Sequence, residues 1–337
     1  MKLLITGGGG FLGVRLARTL LQRGHLAGQT IDALVLSDIA PPPADLLADG
    51  RVQARIGPLL AQLDALREDA FDSVFHLASA VSGECEADFE LGMRSNLDST
   101  RALLDALRAS AKVARVVFSS SVAVFGPDPD VPMPSRVADD TLPAPQTSYG
   151  MQKLICEHLI SDYTRKGFID GRAARLMTVT VTVRPGRPNG SASSFFSSII
   201  REPFAGMEAI CPVDASVSHP VSSPTRTVDG LIAVFEASRE AIGGRMALNL
   251  PALNVTVAQM LAALKLVAGS AALDRVRFVR DERIAGIVAN WPMGASSARA
   301  ARLRLAPEAE FANIIRQYIA DCAGLPNADQ TLKGLSK

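Results

Sequence analysis

The amino-terminal stretch "LLITGGGGFLGVRLARTLLQRG" places a short apolar strand, a glycine turn and an amphipathic helix in direct succession. Gly7, Gly10 and Gly13 have the spacing G-x-x-G-x-x-G, in which missing side chains let the backbone approach a pyrophosphate. The helix that follows directs the free N–H groups of its first turn at such an anion. A glycine turn also occurs without a ligand, but a strand before it and a helix after it favour a dinucleotide site.

Short β-type runs alternate with helical stretches through the first half of the chain, which is typical of a parallel sheet with helices on both faces. The sequence therefore predicts an α/β fold with a Rossmann-type, doubly wound parallel sheet. The predicted strands are residues 2–6, 33–38, 52–56, 73–77, 115–119 and 176–183, and the predicted helices between them are residues 11–23, 59–68, 87–110 and 149–166.

After Arg184 the chain becomes rich in Gly, Pro and Ser and then forms shorter elements. We interpret residues 1–184 as a nucleotide-binding domain that also carries the catalytic groups. Residues 185–325 are expected to form mainly a smaller C-terminal α/β lobe for the substrate, with some segments returning to the first domain. Residues 326–337 are predicted to be a polar, frayed tail.

The charge balance excludes several classes of partner. The 35 basic and 34 acidic residues give a net charge of +1, so neither nucleic acid nor an anionic membrane surface is an expected partner. The apolar runs are strand-sized and no signal peptide is evident, which predicts a cytoplasmic protein without a membrane span. The four cysteines and four histidines lack ligand spacing, so we expect buried thiols and no metal.

Asp38 ends the second predicted strand, in "LVLSD". A carboxylate there can accept hydrogen bonds from both ribose hydroxyls and repels a 2′-phosphate. No arginine or lysine occurs in the next ten residues, which favours NAD over NADP. An aspartate at a strand end is also a common turn residue.

Tyr149 and Lys153 in "SYGMQK" lie four residues apart, on one face of a predicted helix. An ammonium beside a phenol stabilises the phenolate, so we expect the pKa of Tyr149 to fall from ~10 toward neutrality. Such a phenolate can take the proton of an alcohol while hydride leaves the adjacent carbon. The serines of "VVFSSSVAVFG", at a strand end, supply a hydroxyl that can orient that alcohol.

At this point the chain resembles the extended short-chain dehydrogenase/reductase family, which includes nucleotide-sugar epimerases. The resemblance covers essentially the whole chain through "TGGGGFLG", "FHLAS", "SNLDSTRALL", "FSSSVAVFG", "SYGMQK" and "VRPG". It implies that Ser121, Tyr149 and Lys153 are catalytic and that Lys153 also binds the nicotinamide ribose. The residues that fall where the family contacts NAD are Phe11, Leu12, Asp38, Leu77, Ala78, Asn96, Tyr149 and Lys153.

Pro58 departs from the family pattern. Relatives carry Gly-Asp-Leu after the third strand, with the aspartate at adenine, whereas this chain has "GPLL". Proline has neither a side-chain acceptor nor an N–H, so Asp38 becomes more important for cofactor affinity. The resemblance also implies a homodimer through the helices at residues 87–110 and 149–166.

The chain is also similar to a narrower group, the D-erythronate dehydrogenases, through "AVSGECEADFELGMRSNLD", "DYTRKGFIDGRAARL", "VRPGRPNGSASSFFSSIIREPFAG" and "CPV". That likeness implies NAD-dependent oxidation of the 2-hydroxyl of a four-carbon sugar acid. Two alternatives stay open, a nucleotide-sugar epimerase with tightly held NAD and a non-catalytic NAD-binding protein. A substrate carboxylate would suit Arg201 or Arg226, and the candidates for its hydroxyls are Ser79, Ser82, Ser121, Asn189, Ser193 and Ser194.

Overall fold

The computed structural model describes residues 1–110, 112–181, 191–325 and 327–335. Its strands, in chain order, are β1 Lys2–Thr6, β2 His25–Leu26, β3 Gln29–Thr30, β4 Ala33–Asp38, β5 Val52–Ile56, β6 Ser73–His76, β7 Arg115–Ser121, β8 Asp170–Leu176, β9 Thr178–Val179, β10 Ala209–Cys211, β11 Ser218–Ser222, β12 Leu248–Asn249, β13 Leu253–Thr256 and β14 Val276–Phe278.

The α-helices, in chain order, are α1 Phe11–Arg23, α2 Ala44–Leu47, α3 Leu63–Glu68, α4 Ser82–Ala87, α5 Phe89–Gly92, α6 Ser99–Arg108, α7 Ser148–Arg165, α8 Ser194–Phe204, α9 Pro224–Glu236, α10 Arg239–Ile242, α11 Val257–Ala268, α12 Ser270–Leu273, α13 Glu282–Ala289, α14 Ala298–Arg302, α15 Phe311–Ala323 and α16 Ala328–Thr331. Two 3₁₀ turns, Leu59–Ala61 and Val122–Val124, and one π-helical segment, Met93–Asp98, complete the helical structure of the described residues.

The central sheet within the described residues has seven strands in the order β12-β8-β7-β6-β1-β4-β5. All its pairings are parallel, and this confirms the predicted doubly wound α/β fold. Leu3, Leu4 and Ile5 of β1 are fully buried, as expected for a strand covered on both faces. The chain builds β4 and β5 on one side of β1 and then crosses to β6 on the other side. This reversal of strand order creates a crevice at the carboxyl ends of β1 and β6.

The predicted strand at residues 176–183 is wrong. The sheet instead uses β8, which lies six residues earlier and begins at Asp170. Among the described residues 177–181, Thr178 and Val179 form a short strand in another sheet. Two arginines concealed β8, because charged residues are rare in a central strand. Arg172 and Arg175 are buried, and their guanidinium groups pair with Asp170 and Glu157.

The predicted helix at residues 87–110 is interrupted. Asp88 lies between α4 and α5, and its side chain accepts the N–H of Leu91 at 2.9 Å, so a new helix starts there. The π-helical segment then leads into α6.

The expected frayed tail is also wrong for residues 327–335, because the N–H of Gly334 donates to the carbonyl of Phe204 at 2.7 Å and Thr331 is buried.

The second half builds its own apolar core. Two small sheets, β13-β11-β9 and β10-β14, lie with helices α8, α11 and α15 around a buried cluster that includes Phe196, Val221, Leu264 and Ile315. Other parts of this half join the central sheet. Strand β12 pairs with β8, and Leu231 of α9 belongs to the same apolar cluster as the β1 residues Leu3 and Ile5.

Within the described ranges no helix is long and apolar enough to cross a membrane. In the same part of the chain no three His, Cys, Asp or Glu side chains are grouped as a metal site would require. All four cysteines are buried and free, as the sequence predicts.

Candidate active site

The glycine turn between β1 and α1 packs tightly on itself and on the end of β6. A Cβ atom added to Gly13 would lie 2.1 Å from the carbonyl oxygen of Gly7, and one added to Gly7 would lie 2.8 Å from the nitrogen of Ala78. No side chain caps α1, which begins directly after Gly10. Its first N–H groups, those of Phe11, Leu12 and Gly13, are therefore available to an anion in the crevice. This bare turn at the strand-order reversal fits a dinucleotide pyrophosphate.

Asp38 lies beside the same turn. Its Oδ2 accepts the N–H of Gly9 at 2.9 Å, and its Oδ1 accepts the N–H of Ala40 at 3.1 Å. These two bonds fix the carboxylate and leave acceptor positions for ribose hydroxyls. Pro58 starts a 3₁₀ turn, and Gln62 folds back from that turn to bond the carbonyl of Gly57 at 2.7 Å.

The three predicted catalytic residues lie on two adjacent elements. Ser121 ends β7, and Tyr149 and Lys153 belong to the first turns of α7. Helix α7 begins where it does because Thr147 Oγ1 accepts the N–H of Gly150 at 3.1 Å. A Cβ atom at Gly150 would lie 2.2 Å from the carbonyl oxygen of Ala123, so the helix start rests directly on the serine turn. This close approach brings the Tyr149 phenol within hydrogen-bonding reach of Ser121.

Lys153 is buried and held by the sheet. Its Nζ donates to the carbonyl oxygen of Ser119 at 2.9 Å and lies 4.9 Å from the centroid of the Phe118 ring. The same nitrogen lies 5.5 Å from the centroid of the Tyr149 ring. The ammonium therefore lies over the aromatic ring of Tyr149.

Burial controls the protonation of both groups. It raises the pKa of Tyr149 to about 12, although the hydrogen bond from Ser121 opposes this shift. Burial also lowers the pKa of Lys153 to about 8. The expected fall of the tyrosine pKa toward neutrality is thus wrong for the protein chain alone, because desolvation of the phenolate outweighs the stabilisation by the hydrogen bond from Ser121.

Asn96, predicted to contact NAD, uses its side chain to brace the loop that follows β6. Its Oδ1 accepts the N–H of Ala80 at 2.7 Å and the hydroxyl of Ser79 at 3.0 Å. Its Nδ2 donates to Gln152 Oε1 at 2.8 Å, and Gln152 directly precedes Lys153. Leu77 and Ala78 lie in the braced loop, beside Gly7. A contact of Asn96 with NAD stays a prediction.

Two of the serines predicted for substrate hydroxyls are brought together by a residue that the sequence reasoning missed. Ser191 Oγ lies 3.3 Å from Ser82 Oγ and 2.7 Å from Ser193 Oγ. Ser194 is the first residue of α8, and Ser193 occupies the cap position without a side-chain capping bond. The serine-rich stretch "GSASS" was the available signal. Asn189 lies outside the described residues.

The two candidate arginines have different surroundings. Arg201 is buried in α8, and its Nε and one terminal nitrogen bond Glu202 Oε1 at 2.9 and 2.6 Å. Arg226 lies in the first turn of α9 with 48% of its side chain exposed, and its Nε is 3.8 Å from Glu308. Of the two guanidinium groups, that of Arg226 is the more accessible.

A buried ion pair beneath α7 was also missed. Glu157, one turn after Lys153, accepts two hydrogen bonds from Arg175 at 2.9 and 2.8 Å and the hydroxyl of Ser120 at 2.5 Å. The four-residue spacing from Lys153 to Glu157 was the available signal, because it puts both side chains on one face of α7. Its partner could not be foreseen, because the sequence reasoning misplaced β8.

A model of the NAD dependent epimerase/dehydratase family matches residues 3–216. The D-erythronate dehydrogenase of Cupriavidus necator is 48% identical over 333 residues, which cover 96% of this chain and 99% of that protein. The D-erythronate dehydrogenase of Haemophilus influenzae is 41% identical, covering 95% and 99%. A crystal structure described as a nucleoside-diphosphate-sugar epimerase from Agrobacterium tumefaciens has a TM-score of 0.89 and 41% identity, covering 96% of this chain and 95% of that one.

These similarities extend over nearly the full length of the chain and confirm the resemblance seen in its motifs. Two features of the structure agree with them, because the bare glycine turn suits a dinucleotide pyrophosphate and the fixed Asp38 carboxylate suits a ribose without a 2′-phosphate. The protein is thus an NAD-dependent member of the NAD dependent epimerase/dehydratase family.

Proposed function

We propose that this protein, an NAD-dependent dehydrogenase acting on a sugar acid, oxidises the 2-hydroxyl of a four-carbon acid similar to D-erythronate to the 2-keto acid. The observation that carries the proposal is the likeness to two D-erythronate dehydrogenases over at least 95% of the chain. The grouping of Ser121, Tyr149 and Lys153 at the carboxyl edge of the sheet supports it.

In this mechanism Ser121 orients the substrate and Tyr149 removes the proton. Ser121 Oγ accepts the N–H of Ala123 at 3.1 Å, and its single hydrogen, which faces the Tyr149 phenol in the protein alone, would turn to the oxygen of the 2-hydroxyl when the substrate is bound. Tyr149, as phenolate, takes the hydroxyl proton. NAD, when bound, supplies the hydride acceptor at nicotinamide C4 and a positive charge that favours the phenolate.

Lys153 has two roles in the proposal. One of its three N–H groups is committed to the carbonyl of Ser119, so two remain for the hydroxyls of the nicotinamide ribose. Its positive charge also opposes the burial that disfavours the phenolate of Tyr149. A neutral side chain of similar length would lose both effects.

For the substrate, we propose that Ser82 and Ser193 bind hydroxyls together with Ser191, which links them. Arg226 is the preferred partner of the carboxylate, because half of its side chain is exposed whereas Arg201 is enclosed beside Glu202. We retain the division into a cofactor domain at residues 1–184 and a substrate lobe at residues 185–325 as part of this proposal.

We further propose a cytoplasmic homodimer formed through α6 and α7 and the segment before α6. Met151 and Ile155, one turn apart on α7, are 46% and 37% exposed, and Phe89 is 56% exposed. Burying such side chains against a second copy removes apolar surface from water. Sedimentation of the protein should give a dimer, and Met151→Glu with Ile155→Glu should give a monomer. A wild-type monomer would contradict this part of the proposal.

A nucleotide-sugar epimerase with tightly held NAD is the second candidate, favoured by the likeness to the Agrobacterium tumefaciens structure at 41% identity. The two candidates differ in what happens to the cofactor. A dehydrogenase releases NADH at each turnover, whereas an epimerase regenerates its NAD and retains it through purification.

The deciding experiment follows NADH absorbance with added NAD and a panel of four-carbon sugar acids led by D-erythronate and L-threonate. We expect turnover of one acid by the wild type and at least a ~100-fold lower kcat for Tyr149→Phe, because the proton acceptor is removed. Asp162→Ala, an exposed change on the same helix, is the matched control. Absence of turnover, combined with NAD retained on the purified protein, would support the epimerase instead.

A further inference from the structure

His76 is a buried titratable residue to which the proposed mechanism gives no role. It ends β6 opposite Thr6 of β1, at the strand-order reversal where the crevice lies. The residue is 1% exposed, and both of its ring nitrogens meet threonine hydroxyls. Nδ1 lies 2.6 Å from Thr6 Oγ1, and Nε2 lies 2.8 Å from Thr100 Oγ1.

The hydrogen-bond partners of the two threonines determine which nitrogen carries the proton. Thr100 donates its only hydroxyl hydrogen to the carbonyl oxygen of Asn96 at 2.5 Å, so Nε2 of His76 must donate to Thr100. At the other end, the N–H of Ala78 donates to Thr6 Oγ1 at 3.3 Å, and Thr6 can give its own hydrogen to Nδ1. Every hydrogen then has one acceptor, and the imidazole is neutral.

Two properties of the surroundings keep the ring neutral. Burial lowers the pKa of His76 to about 3, and the positive charge of Lys153 acts in the same direction. A second ring proton would also require an acceptor, whereas Thr6 faces Nδ1 as a donor. In the hydrogen-bond series Ala78, Thr6, His76, Thr100, Asn96, each residue therefore donates to the next.

Both ends of this chain of hydrogen bonds hold the loop of residues 77–80. At one end Thr6 binds the N–H of Ala78, whose nitrogen would lie only 2.8 Å from a Cβ atom added to Gly7. At the other end Thr100 holds the backbone of Asn96, whose side chain binds Ala80. The loop thus has its position relative to the glycine turn set from both sides.

We propose that His76 is a positioning residue for the cofactor, a neutral imidazole with its proton on Nε2 that holds the loop of residues 77–80 against the glycine turn. This inference rests on the NAD dependence of the protein and is independent of which acid is the substrate. It requires no contact between the imidazole and NAD.

Three substitutions separate the two hydrogen bonds. His76→Asn places an acceptor near the Nδ1 position and preserves the bond from Thr6. His76→Gln places a donor near the Nε2 position and preserves the bond to Thr100. His76→Phe keeps a ring and removes both bonds. The matched control is His219→Phe, which alters another buried histidine, stacked on Phe196 in the second half and bonded through Nε2 to Thr178.

The test measures the Kd of NAD by calorimetry, without substrate, and the urea unfolding midpoint of each variant. We expect His76→Phe to raise the Kd at least ~10-fold. His76→Asn and His76→Gln should give smaller increases, because each retains one of the two hydrogen bonds. His219→Phe should lower stability and leave the Kd unchanged. An unchanged Kd in a folded His76→Phe protein would overturn the proposal.

Nitrogen NMR of the wild type with labelled histidine gives a second readout that does not depend on any variant folding. We expect a neutral ring protonated at Nε2 that does not titrate between about pH 5 and pH 8, unlike an exposed histidine. A ring protonated at Nδ1, or one that titrates in this range, would refute the assignment. If wild-type protein failed to bind NAD, the cofactor assignment itself would fail, whatever the state of His76.

Discussion

Replacing Glu157 by alanine would leave the Arg175 guanidinium buried without its carboxylate. Both side chains are at most 3% exposed, and two hydrogen bonds of 2.9 and 2.8 Å join them. Removing one member of a buried ion pair costs about 3–5 kcal/mol, because the remaining charge stays desolvated. Ser120 would lose its acceptor as well, so we expect the upper part of this range.

Two further variants isolate the unpaired charge as the cause. In Glu157→Met with Arg175→Met both charges are gone, and apolar replacement of a buried pair is often close to neutral. The double variant should therefore recover most of the stability lost in Glu157→Ala. Asp162→Ala removes an exposed partner of Arg165 on the same helix and should cost about 0–1 kcal/mol.

The assay is equilibrium urea unfolding followed by far-ultraviolet circular dichroism, which reports on the whole fold. If Glu157→Ala lowers the free energy of unfolding no more than Asp162→Ala does, the buried Glu157–Arg175 ion pair contributes no more to stability than an exposed one. If the double methionine variant is as unstable as Glu157→Ala, the effect comes from lost packing, and the reasoning from an uncompensated charge is refuted.

Three other changes test the site. Asp38→Ala should raise the Kd of NAD, measured by calorimetry, about 10-fold or more, because hydrogen bonds to a charged acceptor contribute roughly 1.5–3 kcal/mol. The same change should reduce the preference for NAD over NADP. Gly150→Ala should lower kcat at least ~100-fold with a smaller change in KM, since the new Cβ would lie 2.2 Å from the Ala123 oxygen and move Tyr149 from Ser121. Burial lowers the pKa of Lys153 to about 8, so between about pH 8 and pH 10 the folded protein binds fewer protons at this residue than the unfolded chain does. The free energy of unfolding of the wild type should therefore rise over this range, relative to that of Lys153→Met, by at most ~3 kcal/mol. Urea midpoints of the two proteins that change in parallel with pH would contradict this.

The central sheet could be predicted where the strands are continuous apolar runs. The first five predicted strands are present, and β1 and β4 are buried nearly throughout. The sixth strand was misplaced because its signal lies in tertiary contacts. Arg175 is acceptable inside the sheet only with Glu157, a partner on another element.

The grouping of the candidate site residues was predicted better than their electrostatics. The order of the motifs placed Ser121, Tyr149 and Lys153 together, since the carboxyl ends of parallel strands meet at one edge of the sheet. The direction of the Tyr149 pKa shift depends on how deeply the phenol is buried, which periodicity does not reveal. The hydrogen bonds of Asn96 within the protein were also missed. Its partners lie in the loop after β6 and in α7, and such tertiary contacts are not visible in the sequence pattern.

Burial of the proton acceptor and of its lysine has a common consequence for the proposed reaction. Desolvation disfavours the phenolate of Tyr149 and the ammonium of Lys153 alike, so the chain alone keeps the proton on the phenol. A further positive charge in the crevice would stabilise the phenolate of Tyr149. The low dielectric that disfavours an isolated phenolate also makes this attraction stronger. The base would then be active only while oxidised cofactor is bound, which links proton removal to the presence of a hydride acceptor. The neutral His76, which adds no charge near Lys153, is compatible with this arrangement.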